Sequence, residues 1–343
     1  MTLKLLPWLL AALIVLPGVI VAGLVALGTA APPPPMPAVV GVAMAAAARQ
    51  PQPPLRRFTA RDGAQLAYRS YEPEGEAGQV AVLIHGSGGS SADMNLLARA
   101  LAARGVPAFA PDIRGHGDSG TWGDIGHMGQ LEEDLADFTA VVRQAHPKAA
   151  LVLVGHSSGG GFVLRAAGAP EGRLFQRFVL LAPYLGHAAP TTRPASGGWV
   201  ASYTGRIVGL SILNRFGIHA FDGLPTLAFA GPEGAKPRTW SFRLMANFAV
   251  RDSLGAGDAQ GYRADAALAP GPVVLLAGDR DEIMYPDRYV GAFEGLTRPV
   301  PVTILPGVGH MGLISEPGAV AIVAGIISDG TATVPRSLDG RSP

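Results

Sequence analysis

The chain has no cysteine, which excludes a disulfide scaffold, a cysteine-based metal site and a thiol nucleophile. Charge is scarce too: 15% of its 343 residues are Asp, Glu, Lys or Arg, where a typical globular chain carries about 25%. The signs almost cancel, 27 Lys and Arg against 26 Asp and Glu. With no basic excess to neutralise phosphates, nothing suggests a nucleic-acid partner. A hydrophobic content of 48% with a net charge of +1 excludes a disordered chain. What is plentiful is glycine and proline, 46 and 30 residues, just short of low complexity.

Charge is missing altogether from Leu5 to Leu27. As a helix these residues would span about 34 Å, enough for a hydrocarbon core of about 30 Å. Residues 1–30 are therefore expected to be a membrane anchor, or a signal segment cut near Gly28-Thr29-Ala30; a buried core helix is a third reading. Lys4 ahead of the apolar run favours a cytoplasmic amino end, with the remainder across the membrane or, after cleavage, secreted. Residues 31–57 read as a Pro/Ala-rich linker, with Ala38–Ala48 an apolar stretch inside it. Ser328–Pro343 reads as a frayed tail.

From residue 58 short apolar runs alternate with helical spacing. Strands are expected at Gln65–Tyr71, Val80–Ile84, Pro107–Ala110, Leu151–Val154, Phe178–Leu181, Val273–Ala277 and Val302–Leu305. Helices are expected at Ala92–Arg104, Leu131–Gln144, Phe162–Ala167 and Pro317–Ile327. The pattern implies an α/β fold with a mostly parallel sheet covered on both faces, its ligand site at the carboxyl ends of the strands. Strand patterning lapses between Tyr184 and Pro270. Residues 184–270 are accordingly expected to be an inserted lid, with helical pieces around Trp199–Phe216 and Trp240–Leu254, dividing a core of 58–183 and 271–327.

The strand Leu151–Val154 runs straight into Gly155-His156-Ser157-Ser158-Gly159. G-x-S-x-G between a buried strand and a helix is a nucleophile elbow, and only Ser157 fits the frame. A hydroxyl becomes nucleophilic when a base takes its proton, and the base is commonly a His oriented by a carboxylate. His310, in Gly307-Val308-Gly309-His310, is the only His beyond residue 219. The preceding strand ends in Gly278-Asp279-Arg280-Asp281-Glu282, which offers three acids. Asp281 is chosen because the extra residues let the chain turn back, with Asp279 the alternative; the unchosen acids read as solvated or paired with Arg280. Backbone N–H groups of Ser158 and Ser87, the latter in His85-Gly86-Ser87-Gly88-Gly89, are expected to form the oxyanion hole.

These loops, together with Asp112-Ile113-Arg114-Gly115-His116-Gly117-Asp118-Ser119, resemble the α/β-hydrolase superfamily. The D-x-R-G-H-G-x-S stretch resembles its monoacylglycerol lipase, lysophospholipase and serine aminopeptidase-like branch. The resemblance covers roughly residues 58–327 and weakens across the lid; the apolar amino-terminal segment stands outside it. It implies Ser157 as nucleophile, Asp281 as acid, His310 as base, and Ser87 and Ser158 as oxyanion donors, with Arg114 and His116 chiefly structural.

The reaction expected is cleavage of acyl esters through an acyl-enzyme, needing no metal and no cofactor and falling off in acid as the imidazole takes a proton. The expected substrate is a small acyl ester or a lipid, and the expected membrane contact is the amino-terminal helix. Apolar lid residues (Trp199, Phe216, Phe221, Phe229, Trp240, Phe242, Phe248) suit an acyl chain or lysolipid, or equally form the lid's own core. A proline-type serine aminopeptidase would need an acid for the substrate ammonium, with Asp222, Glu233, Asp252 and Asp258 available in the insertion. A catalytically inactive, anchored binding module is the reading from another class.

Overall fold

The computed structural model describes residues 6–35, 50–231, 238–248 and 261–330, with side chains from Val15 onward in the first helix. Its helices are α1 (Leu6–Leu27), α2 (Asn95–Ala102), α3 (Gln130–Ala145), α4 (Ser158–Ala167), α5 (Thr204–Arg215), α6 (Phe242–Phe248), α7 (Gly261–Leu268), α8 (Tyr289–Ala292), α9 (Gly312–Ser315) and α10 (Pro317–Asp329). The main sheet begins with β1 (Arg56–Thr59) and β2 (Gln65–Tyr71), antiparallel to each other. β2 pairs antiparallel with β4 (Ala108–Pro111). Then β3 (Gln79–Ile84), β5 (Ala150–His156), β6 (Arg177–Leu181), β10 (Val273–Gly278) and β11 (Val302–Leu305) continue in parallel, giving the order β1-β2-β4-β3-β5-β6-β10-β11.

The apolar runs behave as strands covered on both faces because successive side chains leave the sheet in opposite directions. Val80, Val82 and Ile84 of β3 join Leu151 and Leu153 of β5 on one face, under Leu131, Leu135 and Phe138 of α3 and Phe162 of α4. Ala81 and Leu83 join Val152 and Val154 on the other, under Leu97 and Leu101 of α2 and Val320 and Val323 of α10. Each such Leu, Ile or Phe, fully removed from water, contributes about 1.5–3 kcal/mol. The carboxyl ends of β3, β5, β10 and β11 therefore meet over a rigid two-layer core, where four loops converge.

The lapse in strand patterning hides a second sheet. β7 (Val200–Ser202), β8 (Pro225–Phe229) and β9 (Arg238–Ser241) pair antiparallel in the order β7-β8-β9. The strands are three to five residues long and Pro225 opens one of them, too little alternation for a period of two to register. Phe229, Trp240 and Phe248 pack on one another and continue the main core into the cap: the Trp240 centroid lies 4.8 Å from Phe229 and 4.7 Å from Phe248, and Phe248 lies 5.9 Å from Phe162 of α4.

α1 lies against α5. Val25 is buried with Leu210 and Phe242, and an added Cβ on Gly28 would meet the Arg206 nitrogen at 2.3 Å. The Arg206 backbone N–H donates to the Gly28 carbonyl (3.1 Å), while its guanidinium donates to Val25 O (2.8 Å) and Pro225 O (2.9 Å). Among the described residues no helix is long and apolar enough to cross a membrane. The spanning segment expected over Leu5–Leu27 is thus not met there, since the described side chains cover only the helix's second half. Ala38–Ala48 and the tail beyond Gly330 lie outside the described residues.

Candidate active site

Ser157 sits between β5 and α4 with φ 56° and ψ −123°, a conformation that costs a non-glycine residue about 1–3 kcal/mol unless its surroundings enforce it. The surroundings do. Ser157 N–H donates to Leu181 O and its own carbonyl accepts from Tyr184 N–H, each at 2.9 Å. Glycine is required on either side of the bend. A Cβ on Gly155 would stand 2.3 Å from Gly159 O, and one on Gly159 would stand 2.3 Å from His85 O. The sharp turn thus locks β5 to the loop after β3.

His310 follows β11. Its Nδ1 lies 2.8 Å from Asp281 Oδ2, and both side chains are buried. The other oxygen of Asp281 accepts from the N–H groups of Ile283 (2.8 Å) and Met284 (2.7 Å). Burial pushes the Asp281 carboxyl up, but His310 and the two N–H donors outweigh it and hold it below the usual carboxylate range. A permanently ionised acceptor keeps the proton of His310 on Nδ1 and leaves Nε2 as the basic nitrogen. Nε2 is buried and has no hydrogen-bond partner among the described residues. It shares one small cavity, of about 30 Å³, with Ser157, Ser87, Gly86, Asp93 and Trp199. The Ser157–His310 hydrogen bond is therefore not made here; such bonds commonly tighten only once substrate is bound.

The unchosen acids are not paired with Arg280. Asp279 accepts from Gly307 N–H (2.7 Å) and Glu282 from His310 N–H (3.1 Å), so the three carboxylates of Asp279–Glu282 between them hold the imidazole and the loop that carries it. A second histidine backs the first. His156 Nε2–H donates to the His310 carbonyl at 3.0 Å, with ring centroids 4.8 Å apart. Burial, reinforced by His310, lowers the His156 pKa to about 3, so it stays a neutral donor.

The hydroxyl of Ser87 donates to that of Ser158 at 3.1 Å, joining the two loops expected to supply oxyanion donors. Ser158 is the first residue of α4, where a helix leaves its N–H groups without intrahelical acceptors. His85 fixes the other loop. Its Nδ1–H donates to Gly86 O (2.8 Å), while Nε2 accepts from Ile113 N–H (3.0 Å).

The 112–119 stretch braces from behind. Asp112 accepts from Ser91 N–H (2.7 Å) and Asp118 N–H (2.8 Å); Arg114 pairs with Asp134 (2.7 Å) and Asp62 (2.9 Å). His116 is buried beside Trp122, Trp240 and Phe248. Of the apolar lid residues, Trp199 borders the cavity; Phe229, Trp240, Phe242 and Phe248 are buried, and Phe216 and Phe221 are exposed. The Asp222 carboxylate is held within the cap by Asn214 Nδ2 (2.6 Å) and His219 Nδ1 (3.2 Å); Glu233, Asp252 and Asp258 lie outside the described residues. Sequence reasoning passed over Asp93, which borders the cavity, although Ser90-x-x-Asp93 is a capping-box spacing that marks a placed carboxylate.

Comparison with known proteins places this geometry in company. A family model described as serine aminopeptidase, S33, matches residues 75–218. A monoacylglycerol lipase of Mycolicibacterium smegmatis is 29% identical over 230 residues, which cover 66% of this chain and 79% of the relative. Among solved structures, a soluble variant of the Saccharomyces cerevisiae monoglyceride lipase, bound to a substrate analogue, superposes with a TM-score of 0.59 at 18% identity, covering 82% of this chain and 96% of that one. A bacterial membrane phospholipase A superposes with a TM-score of 0.51 at 19% identity and covers 95% of this chain and 96% of its own.

Proposed function

We propose a mechanism for this α/β-hydrolase of the monoacylglycerol lipase-like branch, a serine hydrolase that cleaves acyl esters. Ser157 Oγ attacks the acyl carbonyl while His310 Nε2 takes its proton. Asp281 holds the imidazole in the required tautomer and stabilises the imidazolium. The tetrahedral oxyanion is met by the N–H groups of Ser87 and Ser158. His310 then passes the proton to the leaving alkoxide, and a water, activated by the same nitrogen, releases the acid. The observation that carries the proposal is the convergence of a strained serine and a carboxylate-bound imidazole on one cavity.

The fit of an acyl chain to the site, and of this chain to a lipid surface, belongs to the same proposal. Trp199, Ile283, Met311 and Ile314 give the cavity apolar walls. Val15, Leu16, Val19 and Ile20 of α1 are exposed, as are Phe216, Ile218 and Phe221 beside it. An apolar groove of about 460 Å³ separates α1 from the end of α5. Together with the uncharged run from Leu5, these support an α1 held in a membrane, with the hydrolase domain on its outer side and the cap against the lipid.

The test uses a fluorophosphonate probe and p-nitrophenyl esters from acetate to palmitate. Ser157→Ala should lose labelling and about 10⁴–10⁶ of turnover. Full activity in that variant, or cleavage of Pro-aminoacyl amides in preference to every ester, overturns the proposal. For the membrane part, α1-containing and α1-deleted chains are compared by fractionation; equal recovery in the soluble fraction overturns it.

A further inference from the structure

Arg193 stands between β6 and β7, where the chain leaves the main sheet for the cap. Its half-buried guanidinium pairs with no carboxylate among the described residues and donates to main chain instead. Nε reaches Met284 O at 2.8 Å and Nη2 reaches Asp281 O at 3.2 Å. Those two carbonyls bracket the turn that carries the acid. The peptide units whose N–H groups grip Asp281 Oδ1, those of Ile283 and Met284, lie between the two whose carbonyls Arg193 holds. The turn is tied from inside by the carboxylate and from outside by the guanidinium.

The guanidinium is itself held. It lies over the Tyr285 ring at 4.3 Å, and Arg288 lies over the same ring at 4.0 Å while donating to Pro190 O at 3.1 Å. Tyr285 N–H donates to Thr191 O at 2.7 Å, and Thr192 bridges Met284. Farther along, Gly197 has φ 66° and presses so close that an added Cβ would meet Glu282 O at 2.3 Å. From Thr191 to Gly197 the way into the cap is seated on the acid turn.

Asp281 orders the base only while its Oδ2 stays on His310 Nδ1, 2.8 Å away, and a side chain on a turn moves with the peptide planes around it. A misplacement of about 1 Å from a remote change can cost about 10²-fold in rate. We propose that Arg193 is a positioning residue for the hydrolytic reaction, an outer brace on the Asp281 turn that fixes the carboxylate orienting His310. The proposal rests on the hydrolase reading above and adds to it a side chain that touches neither substrate nor imidazole. The fork is what matters: a lysine at this place would keep the charge but could not span two carbonyls in a fixed geometry.

The experiment measures kcat and KM on p-nitrophenyl acetate for the wild type, Arg193→Lys and Arg193→Ala, each also combined with Asp281→Asn. Arg193→Ala should lower kcat about tenfold or more and move KM by less than about threefold. Arg193→Lys should recover only part of that loss. In the Asp281→Asn background the same substitutions should cost less than about twofold, because the orientation that Arg193 secures is already gone there. A merely structural role costs the same factor in both backgrounds, and that result overturns the proposal. So does an unchanged kcat in Arg193→Ala, or a change carried by KM, which would make Arg193 a part of the cavity wall. Should Arg193→Ala fail to fold, Arg193→Lys decides by the same comparison. A wild type that cleaves no p-nitrophenyl ester removes the parent reading first and this proposal with it.

Discussion

The hydrolytic centre and the cap above it are held together by different means. Around Ser157 and His310 the fixing contacts are made to backbone: glycines whose Cβ would collide with carbonyl oxygens at 2.3 Å, and carboxylates of Asp279, Asp281 and Glu282 that each grip main-chain N–H groups. In the cap the packing contacts are side chain on side chain, Trp240 between Phe229 and Phe248, and at the seams a guanidinium reaches a main-chain carbonyl, Arg206 that of Val25 in α1 and Arg238 that of Gly88. Backbone clamps place atoms to within fractions of an ångström, as proton transfer demands. Aromatic packing holds a shape while leaving room to shift, as entry to a cavity of about 30 Å³ demands.

The contrast can be broken from the top. Asp281→Asn should leave the two N–H contacts to the side chain largely in place yet lower kcat by about 10⁴, by admitting the wrong His310 tautomer. Steady-state kinetics on a short p-nitrophenyl ester decides it, and a loss under tenfold would mean the clamp is not what orders the base. Next comes acid stability. His156, with its pKa lowered to about 3, and His85 and His116, also lowered by burial, are neutral in the folded chain. Unfolded, each titrates at about 6.5, so between the two values the unfolded chain binds more protons. Stability is full above that pH and declines as pH falls, by about 1.4 kcal/mol per unit for each such group. Urea midpoints measured from pH 7 down to pH 4 should drop steeply, and His156→Asn should flatten the slope by about one proton; an unaltered slope would remove His156 from the clamp.

The cap should respond more gently. Arg238→Ala removes the tie to Gly88 and the stack on Trp122, and should change kcat/KM for soluble esters by less than tenfold, with KM moving more than kcat. A collapse of kcat would show that the cap shares the work of the centre. The smallest effect on soluble substrate is expected from the pair Phe216→Ser and Phe221→Ser: under twofold on p-nitrophenyl acetate, but a clear drop in co-sedimentation of the α1-containing chain with phosphatidylcholine vesicles. Equal co-sedimentation would separate the cap from the lipid.

What could be read in the sequence follows the same division. Val80–Ile84, Leu151–Val154 and Val273–Ala277 announce themselves because strands buried on both faces are unbroken apolar runs; Val302–Leu305, the half-exposed edge strand, shows a weaker pattern, and each of the four runs into a loop whose residue types are chemical. Those strands lie in one stretch of the sheet, with β6 between β5 and β10, and their carboxyl ends bring together Ser87, Ser157, Asp281 and His310. The tasks of Asp279 and Glu282 were hidden because their partners are N–H groups, which every residue but proline carries and no sequence pattern marks. β7 to β9 were hidden because strands of three to five residues, one of them opened by proline, carry too little periodicity. Asp93 was legible only as half of a cap, its Oδ2 accepting from Ser90 N–H.

Arg206 reaches back some 180 positions to hold the Val25 carbonyl in the first helix and the Gly28 carbonyl just past its end, and the Val25 side chain is sealed against Leu210. A protease that nicked the chain just past Ala30 would therefore not set that helix adrift. The severed piece would stay docked as a noncovalent subunit, and its eventual departure would leave Leu210 wet and the outer wall of the cap missing.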